Sequence, residues 1–354
     1  MTVIYVLLAL LMFGIMITVH EAGHFFAARL TGIPVKEFAI GFGPSILRWN
    51  SKKHETKFFL RAIPMGGYCM FYAEDDIKGE EKDDPRAFGK YSVGKRLITI
   101  VMGAVMNIVL AFVAATLFFA LSGVPTVTGA YETVVQSVNE SSPAQAAGMQ
   151  LADKITAVNG VPVTDNLSAL LDRFGEASDE PVLITVARGT ELTELTATPL
   201  KSEDTGHYML GITVNVGAPV VWEKGSVGEV ISSAYNVCVN AAKSVVTAFR
   251  NLIFRGEGAG EVAGVVGVTQ MIVEETRQGQ LQGYLSMMIF ISINLGIVNL
   301  FPFPGLDGSR LLFLVIEALR GKPVKKEAYV HAFGMILLVG LMLLITMQDI
   351  LRMF

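Results

Sequence analysis

The sequence predicts a multi-pass α-helical membrane protein of about four transmembrane helices, with a membrane-associated β-hairpin and an inserted extracytoplasmic α/β domain. Three observations predict it. Of the 354 residues, 52% are hydrophobic and 17% are charged, against about 25% charged in soluble domains, and the mean hydropathy is +0.50. The apolar residues gather into long blocks instead of spreading evenly. The longest segment between blocks carries the short strand-like runs and turn residues of a small soluble domain.

The first block, Val3 to Val19, has no basic stretch before it and no small-x-small cleavage site before His20. It also runs directly into a histidine motif, so it reads as a retained membrane helix and not as a leader. Leu97 to Leu121 is uncharged and long enough, at about 1.5 Å per residue, to cross a hydrocarbon core of about 30 Å. Leu285 to Leu319 is apolar but interrupted by Pro302-Phe303-Pro304-Gly305. Such a break persists at membrane depth only where protein or a water-filled cavity satisfies the freed backbone groups. Ala332 to Met347 forms the fourth span.

Charge sets the expected orientation. Residues 29–96 carry 13 Lys/Arg against 9 Asp/Glu, whereas residues 122–284 carry 9 against 18. The short loop before the last span adds Arg320, Lys322, Lys325 and Lys326. Positive loops stay cytoplasmic, which places residues 122–284 outside. The net charge of −4 and the absence of a long basic run argue against a nucleic-acid partner. Cys69 and Cys238 lie too far apart in the chain to suggest a disulfide framework.

Between the spans, residues 33–72 hold Gly41-Phe42-Gly43-Pro44 and Ile63-Pro64-Met65-Gly66-Gly67-Tyr68 around short strand-like runs. They read as a hairpin at the membrane face, where Gly41, Gly43, Gly66 and Gly67 allow tight turns or close backbone approach. Glu74 to Lys90 is charge-dense and reads as a solvated loop. Residues 126–215 read as the small domain, with turns at Asn159-Gly160 and Arg188-Gly189. From Ser226 to Phe254, apolar residues recur every three or four positions. This gives an amphipathic helix that either packs on the small domain or lies at the membrane surface. The chain thus divides into a first membrane part (1–121), the small domain (122–225), an amphipathic juxtamembrane region (226–284) and a second membrane part (285–354).

The chemistry concentrates in His20-Glu21-Ala22-Gly23-His24. On a helix, positions i and i+4 share a face, so both imidazoles can bind one ion with Glu21 beside it as a base. Ionisable groups in a membrane helix are costly and are read as functional. Two imidazoles and a carboxylate suit a single zinc ion with an open fourth position, although iron or cobalt would accept the same donors. The third ligand has no candidate nearby. Asp307 is the one acidic residue in the apolar run from Leu285 to Val315, and metal coordination would offset the cost of burying it. Alternatively, it faces water at the helix break. Asn299, at the start of the same segment, is placed to hydrogen-bond an exposed substrate backbone. The residues alone leave open a metal carrier, which gives Glu21 no task, and a scaffold that needs no metal.

With these motifs in view, the chain resembles the bacterial site-2 proteases. HExxH in the first span pairs with Asn299-Leu300-Phe301-Pro302-Phe303-Pro304-Gly305-Leu306-Asp307-Gly308 in the third, and Met102-Gly103-Ala104-Val105-Met106-Asn107 also fits a family segment. The resemblance extends over nearly the whole chain and is closest to the PDZ-containing branch that cleaves anti-sigma factors. Ser142-Pro143-Ala144, Ala147-Gly148, Asp153-Lys154-Ile155 and Val158-Asn159-Gly160 are similar to PDZ positions. The resemblance implies a zinc metalloendopeptidase of the inner membrane of a bacterial cell, acting on single-pass, anti-sigma-factor-like substrates in the lipid bilayer. It implies His20, His24 and Asp307 as ligands of one Zn²⁺, Glu21 as catalytic base, and Asn299 with Gly41, Gly43, Gly66 and Gly67 as substrate-binding positions. It also implies an extracytoplasmic PDZ-like domain that filters substrates by size or captures a peptide as an added strand. Ala104, Val265 and Ser309 stand where relatives show proline, proline and glycine.

Overall fold

The computed structural model describes residues 2–51, 55–74, 83–129, 131–163, 180–201, 208–258, 263–324 and 326–351. Residues 75–82 of the charge-dense loop, and Lys325, lie outside the described residues. The chain forms two compact units, residues 124–223 and everything on either side of them.

The outer unit is built on helices α1 (Thr2–Thr31), α2 (Val93–Ser122), α4 (Val227–Arg255), α5 (Val265–Val298), α6 (Asp307–Arg320) and α7 (Glu327–Leu351). Five of them, all but α6, are long and apolar enough to cross a membrane, where the sequence pattern yields four spans. The additional one is α4. Its polar face dilutes its hydropathy, which is why its sequence reads as amphipathic. It packs against α2 and α5 within this unit. Leu281–Val298 of the interrupted span extends backwards past Gln280, a non-helical residue (φ 49°, ψ −126°) that divides α5 into two stretches.

The helix ends follow local chemistry. Gly32, at φ 78°, closes α1 with the Ile33 N–H on the Ala28 carbonyl at 2.8 Å, a left-handed terminus that glycine adopts without strain. Ser226 and Glu229 form a capping box at the start of α4, which satisfies two of its orphan donors. Helix α2 is the hub, touching α1, α4, α5 and α6. Large apolar side chains on the outward faces, such as Ile336 and Leu343 of α7, remain exposed, as expected of surfaces that meet lipid.

Strands β1 (Val35–Asn50) and β2 (Lys57–Phe71) make more than a hairpin. Residues 35–40 lie between 67–71 on one side and 57–60 on the other, while 45–50 run back alongside 57–61. The sheet therefore has four short runs, in the order 67–71, 35–40, 57–61 and 45–50. Its bends fall at Gly41, Gly43 and Gly66, all with φ between 83° and 90°, a region closed to most side chains. Trp49 stacks on Phe58 at 5.2 Å, and Phe38 and Phe58 pack on Phe25 of α1. Run 67–71 pairs on one side only among the described residues.

The inner unit holds β3 (Val124–Val127) paired with β12 (Val220–Glu223), and a larger antiparallel sheet. The strands of that sheet are β4 (Glu132–Val138), β5 (Lys154–Val158), β6 (Val161–Pro162), β7 (Val182–Arg188), β8 (Glu191–Ala197) and β11 (Ile212–Gly217). Their order is β11-β4-β5-β7-β8, with β6 beside β5. The short α3 (Pro143–Ala146) is capped by Ser142, and β9 (Leu200–Lys201) pairs with β10 (Tyr208–Met209). Val182, Ile184 and Val186 alternate inward with Val135, Ile155 and Leu195 to form the core, the period-two pattern of a half-buried strand. Arg188 donates to both oxygens of Asp153 at 2.8 and 2.7 Å and to the Gly148 carbonyl at 2.9 Å.

Candidate metal centre

Helix α1 carries His20 and His24 one turn apart, both buried. Their Nε2 atoms lie 3.1 Å from each other and 3.0 and 3.3 Å from Asp307 Oδ2. Three donor atoms from positions almost the length of the chain apart thus meet within 4.8 Å. Donors around a tetrahedral zinc with bonds of about 2.0–2.1 Å sit about 3.3 Å apart, so the spacing fits such an ion. The fit extends to the far nitrogens. His24 Nδ1 donates to the Thr99 carbonyl at 2.9 Å, which leaves Nε2 as the lone-pair atom. His20 Nδ1 lies 3.1 Å from the Asn107 side-chain amide. Both partners belong to α2, the kind of outer support that fixes the tautomer and orientation of a metal-binding imidazole.

The imidazoles fit because α1 and α2 approach closely. A Cβ on Gly23 would run into the Met102 carbonyl, and one on Gly103 would strike the His24 ring and come within 2.9 Å of His20 Cε1. Thr99, Gly103 and Asn107, spaced by four on one face of α2, form the floor under the histidine pair.

Asp307 is presented by the interrupted span. After Val298 the chain turns through Pro302, Pro304 and Gly305 (φ 98°), and α6 begins at Asp307 itself. The Gly308 N–H donates to the Asn299 carbonyl at 2.7 Å. A Cβ on Gly308 would collide with the Leu300 and Phe301 backbone, and one on Gly334 of α7 would meet Pro304. At Ser309 the hydroxyl donates to the Leu306 carbonyl at 2.8 Å and caps the turn. Two ion pairs between buried arginines and half-buried glutamates then hold α6 in place: Arg310 with Glu74 at 2.8 Å, and Arg96 with Glu317 at 2.5 Å.

Cavities flank the group on two sides. One, of about 270 Å³, is lined by Glu21, His24, Cys69, Glu74, Asp307 and Arg310 among others. The second, of about 200 Å³, is lined by His20, Glu21, Asn299 and Asp307 with Ile17, Leu295, Gly305 and Leu306. Glu21 therefore borders both. Gly67 abuts Glu21: a Cβ there would lie 3.6 Å from Glu21 Cγ and crowd the Ala39 carbonyl at 2.7 Å.

The structure thus gathers His20, Glu21, His24, Asp307 and Asn299 in one place, with Gly67 adjoining. Gly41, Gly43 and Gly66 line neither cavity; they bend the sheet, and Gly66 packs on the Phe42 ring. Sequence reasoning passed over the roles of Thr99, Gly103, Glu74 and Arg310. A glycine four residues before an asparagine, Gly103 and Asn107 within an uncharged apolar run, is the available signal, but its meaning depends on which helix lies opposite.

A helical HExxH completed by a distant carboxylate, on helices fit to cross a bilayer, defines a membrane metalloprotease. The chain belongs to Peptidase family M50, the site-2 proteases, whose model matches residues 8–342. It is similar to a Clostridium perfringens protein whose name places it among zinc metalloproteases, at 33% identity over 98% of each chain. It is also similar to the Bacillus subtilis regulator of sigma-W protease RasP, at 29% identity over 98% of each. A PDZ domain of Listeria monocytogenes aligns with a TM-score of 0.23 and 21% identity, over 25% of this chain and 92% of that one, a likeness too slight to argue from. The protein is a zinc-dependent membrane metalloprotease of the site-2 type.

Proposed function

We propose that His20, His24 and Asp307 hold one zinc ion, and that Glu21 moves the proton in hydrolysis of a peptide bond within or beside a substrate's transmembrane helix. One observation carries this reading: the three ligand atoms converge within 4.8 Å while Glu21 borders both adjoining cavities. When bound, zinc supplies Lewis-acid polarisation of the scissile carbonyl and acidifies water toward neutral pH. Glu21 accepts a proton at its carboxylate from the attacking water and returns it to the leaving amine.

A peptide bond inside a helix is protected by its own hydrogen bonds and by the scarcity of water. The substrate therefore unwinds into an extended segment. The unpaired side of run 67–71 beside Glu21 supports its docking there as an added strand, with the Asn299 side chain hydrogen-bonding its backbone from the second cavity. Gly41, Gly43 and Gly66 act by shaping that sheet.

The substrates are single-pass membrane proteins of the anti-sigma-factor type, trimmed by an earlier protease. The regulatory name of the Bacillus subtilis relative supports this. The basic loops support an inner-membrane orientation with residues 124–223 outside the cytoplasm. There the antiparallel sheet and the Ser142-capped turn support a PDZ-like domain that limits access by size.

Glu21→Gln, coexpressed with a tagged single-pass substrate, tests the assignment. Cleavage should fall about 10²–10⁴-fold while zinc content and substrate association persist. A metal carrier would instead change metal flux, and a scaffold would show no change. Undiminished cleavage removes Glu21 from the mechanism.

A further inference from the structure

We infer that Asn107 is a positioning residue that turns its carbonyl oxygen toward His20 Nδ1–H and thereby keeps His20 Nε2 free for the metal. The inference rests on the zinc reading above and concerns how one of its ligands is held. Asn107 is fully buried at the centre of α2. Its Nδ2 lies 3.1 Å from His20 Nδ1, while its Oδ1 is buried with no hydrogen-bond partner. In that orientation the amide donates to Nδ1, which forces the ring proton onto Nε2, the atom that faces Asp307 Oδ2 at 3.0 Å. A protonated Nε2 has no lone pair for a metal.

Exchanging the amide's oxygen and nitrogen, a rotation that moves no other atom, gives the tautomer that metal binding needs. Oδ1 then accepts from Nδ1–H and gains the partner it lacks, and Nε2 becomes a lone-pair donor directed at the site. The neighbouring ligand shows the same arrangement: His24 Nδ1 meets the Thr99 carbonyl at 2.9 Å, an acceptor that admits only one tautomer. Helix α2 thus supplies one acceptor to each imidazole, from Thr99 and Asn107, with Gly103 clearing the space between. Gly296 of α5 lies against this stretch of α2: a Cβ there would come within 3.0 Å of the Ala104 carbonyl and 3.5 Å of Asn107 Cβ.

The test measures zinc per chain in the detergent-solubilised full-length protein, dialysed against buffers of graded free zinc. Asn107→Leu keeps the volume and removes the acceptor; Asn107→Asp keeps an acceptor and removes the donors. The Leu variant should bind zinc about 10–100-fold more weakly, and the Asp variant should hold it as the unaltered chain does. Cobalt-loaded samples should show the tetrahedral visible bands in the unaltered and Asp chains and altered bands in the Leu chain. Zinc affinity unchanged by Leu, or weakened as much by Asp as by Leu, overturns the inference, the latter outcome assigning the role to the amide's N–H. If Asn107→Leu does not fold, Asn107→Ala serves as the acceptor-free chain with the same expected loss. Failure of the zinc reading looks different. The unaltered chain would take up no stoichiometric metal, or His20→Ala would keep it, whereas failure of this inference alone leaves both of those controls intact.

Discussion

In the small domain the buried side chains are chiefly aliphatic, among them Val135, Ile184, Val186 and Leu195, and the buried carboxylate of Asp153 is met by Arg188. In the helical unit the buried side chains include the polar or charged His20, His24, Thr99, Asn107, Ser309 and Arg310. Beside an apolar cluster that includes Phe88, Ile100 and Leu314, several of the closest approaches there run through glycines, at Gly23, Gly103, Gly296 and Gly334. The sheet domain gains its order from apolar area removed from water, which is tolerant of direction. The helical unit gains its geometry from close backbone approach and directed hydrogen bonds, which are not. Substitutions should therefore damage stability in one unit and chemistry in the other.

Gly103→Val challenges that contrast most severely. A Cβ at this position already collides with His24 and crowds His20, and valine adds two methyl groups to it. Zinc affinity should fall on the order of 100-fold, in the range found when ligand support is lost, while helix content by circular dichroism persists. Zinc binding at the unaltered level would mean that α1 and α2 separate easily and that the floor under the histidines is not rigid. In the other unit, Ile184→Ala should lower stability by about 2–5 kcal/mol, because Ile184 is fully buried. Hydrogen exchange in β7 and β8 should accelerate accordingly, with zinc content unchanged. Loss of zinc in that variant would join two responses that the structure keeps apart.

What the sequence reveals follows from how local each feature is. His20 and His24 are legible because one helical turn brings them together whatever surrounds them. Asp307 is legible because a lone carboxylate in an apolar run demands an explanation. Asn107 and Gly103 are not, since their task exists only once α2 lies against α1. The same applies to Asp349, a buried carboxylate near the end of α7 that accepts the Gly267 N–H at 2.8 Å and anchors the start of α5. The glycines of residues 33–72 announce turns, but not that residues 35–40 pair on both sides. That depends on two distant runs meeting the same strand. Helix α4 is legible as amphipathic; its place against α2 and α5 is not, because periodicity shows a face but not its partner.

The smallest effect is expected at the junction of β5 and β7. Asp153 accepts two hydrogen bonds from Arg188 and one from the Gln150 N–H at 2.8 Å. Hydrogen bonds from the Arg188 guanidinium, outweighing the opposing effect of burial and helped by the Gln150 N–H, hold its carboxyl below the usual carboxylate range. Its folded-state pKa is therefore lower than its unfolded value of about 3.9. The stabilisation is fully present above the unfolded value and disappears as pH falls through the folded one. Asp153→Asn removes the charge but not the shape, so it should weaken the sheet by about 1–3 kcal/mol at neutral pH, toward the lower end because Arg188 is partly exposed. The gap between variant and unaltered chain, read from exchange rates in residues 182–197, should stay constant from pH 7 to about 5 and narrow below about pH 4. A gap that persists undiminished in acid would show that Asp153 acts through packing and not through its charge. The small domain would then owe nothing at this site to directed electrostatics, and its contrast with the helical unit would be sharper still.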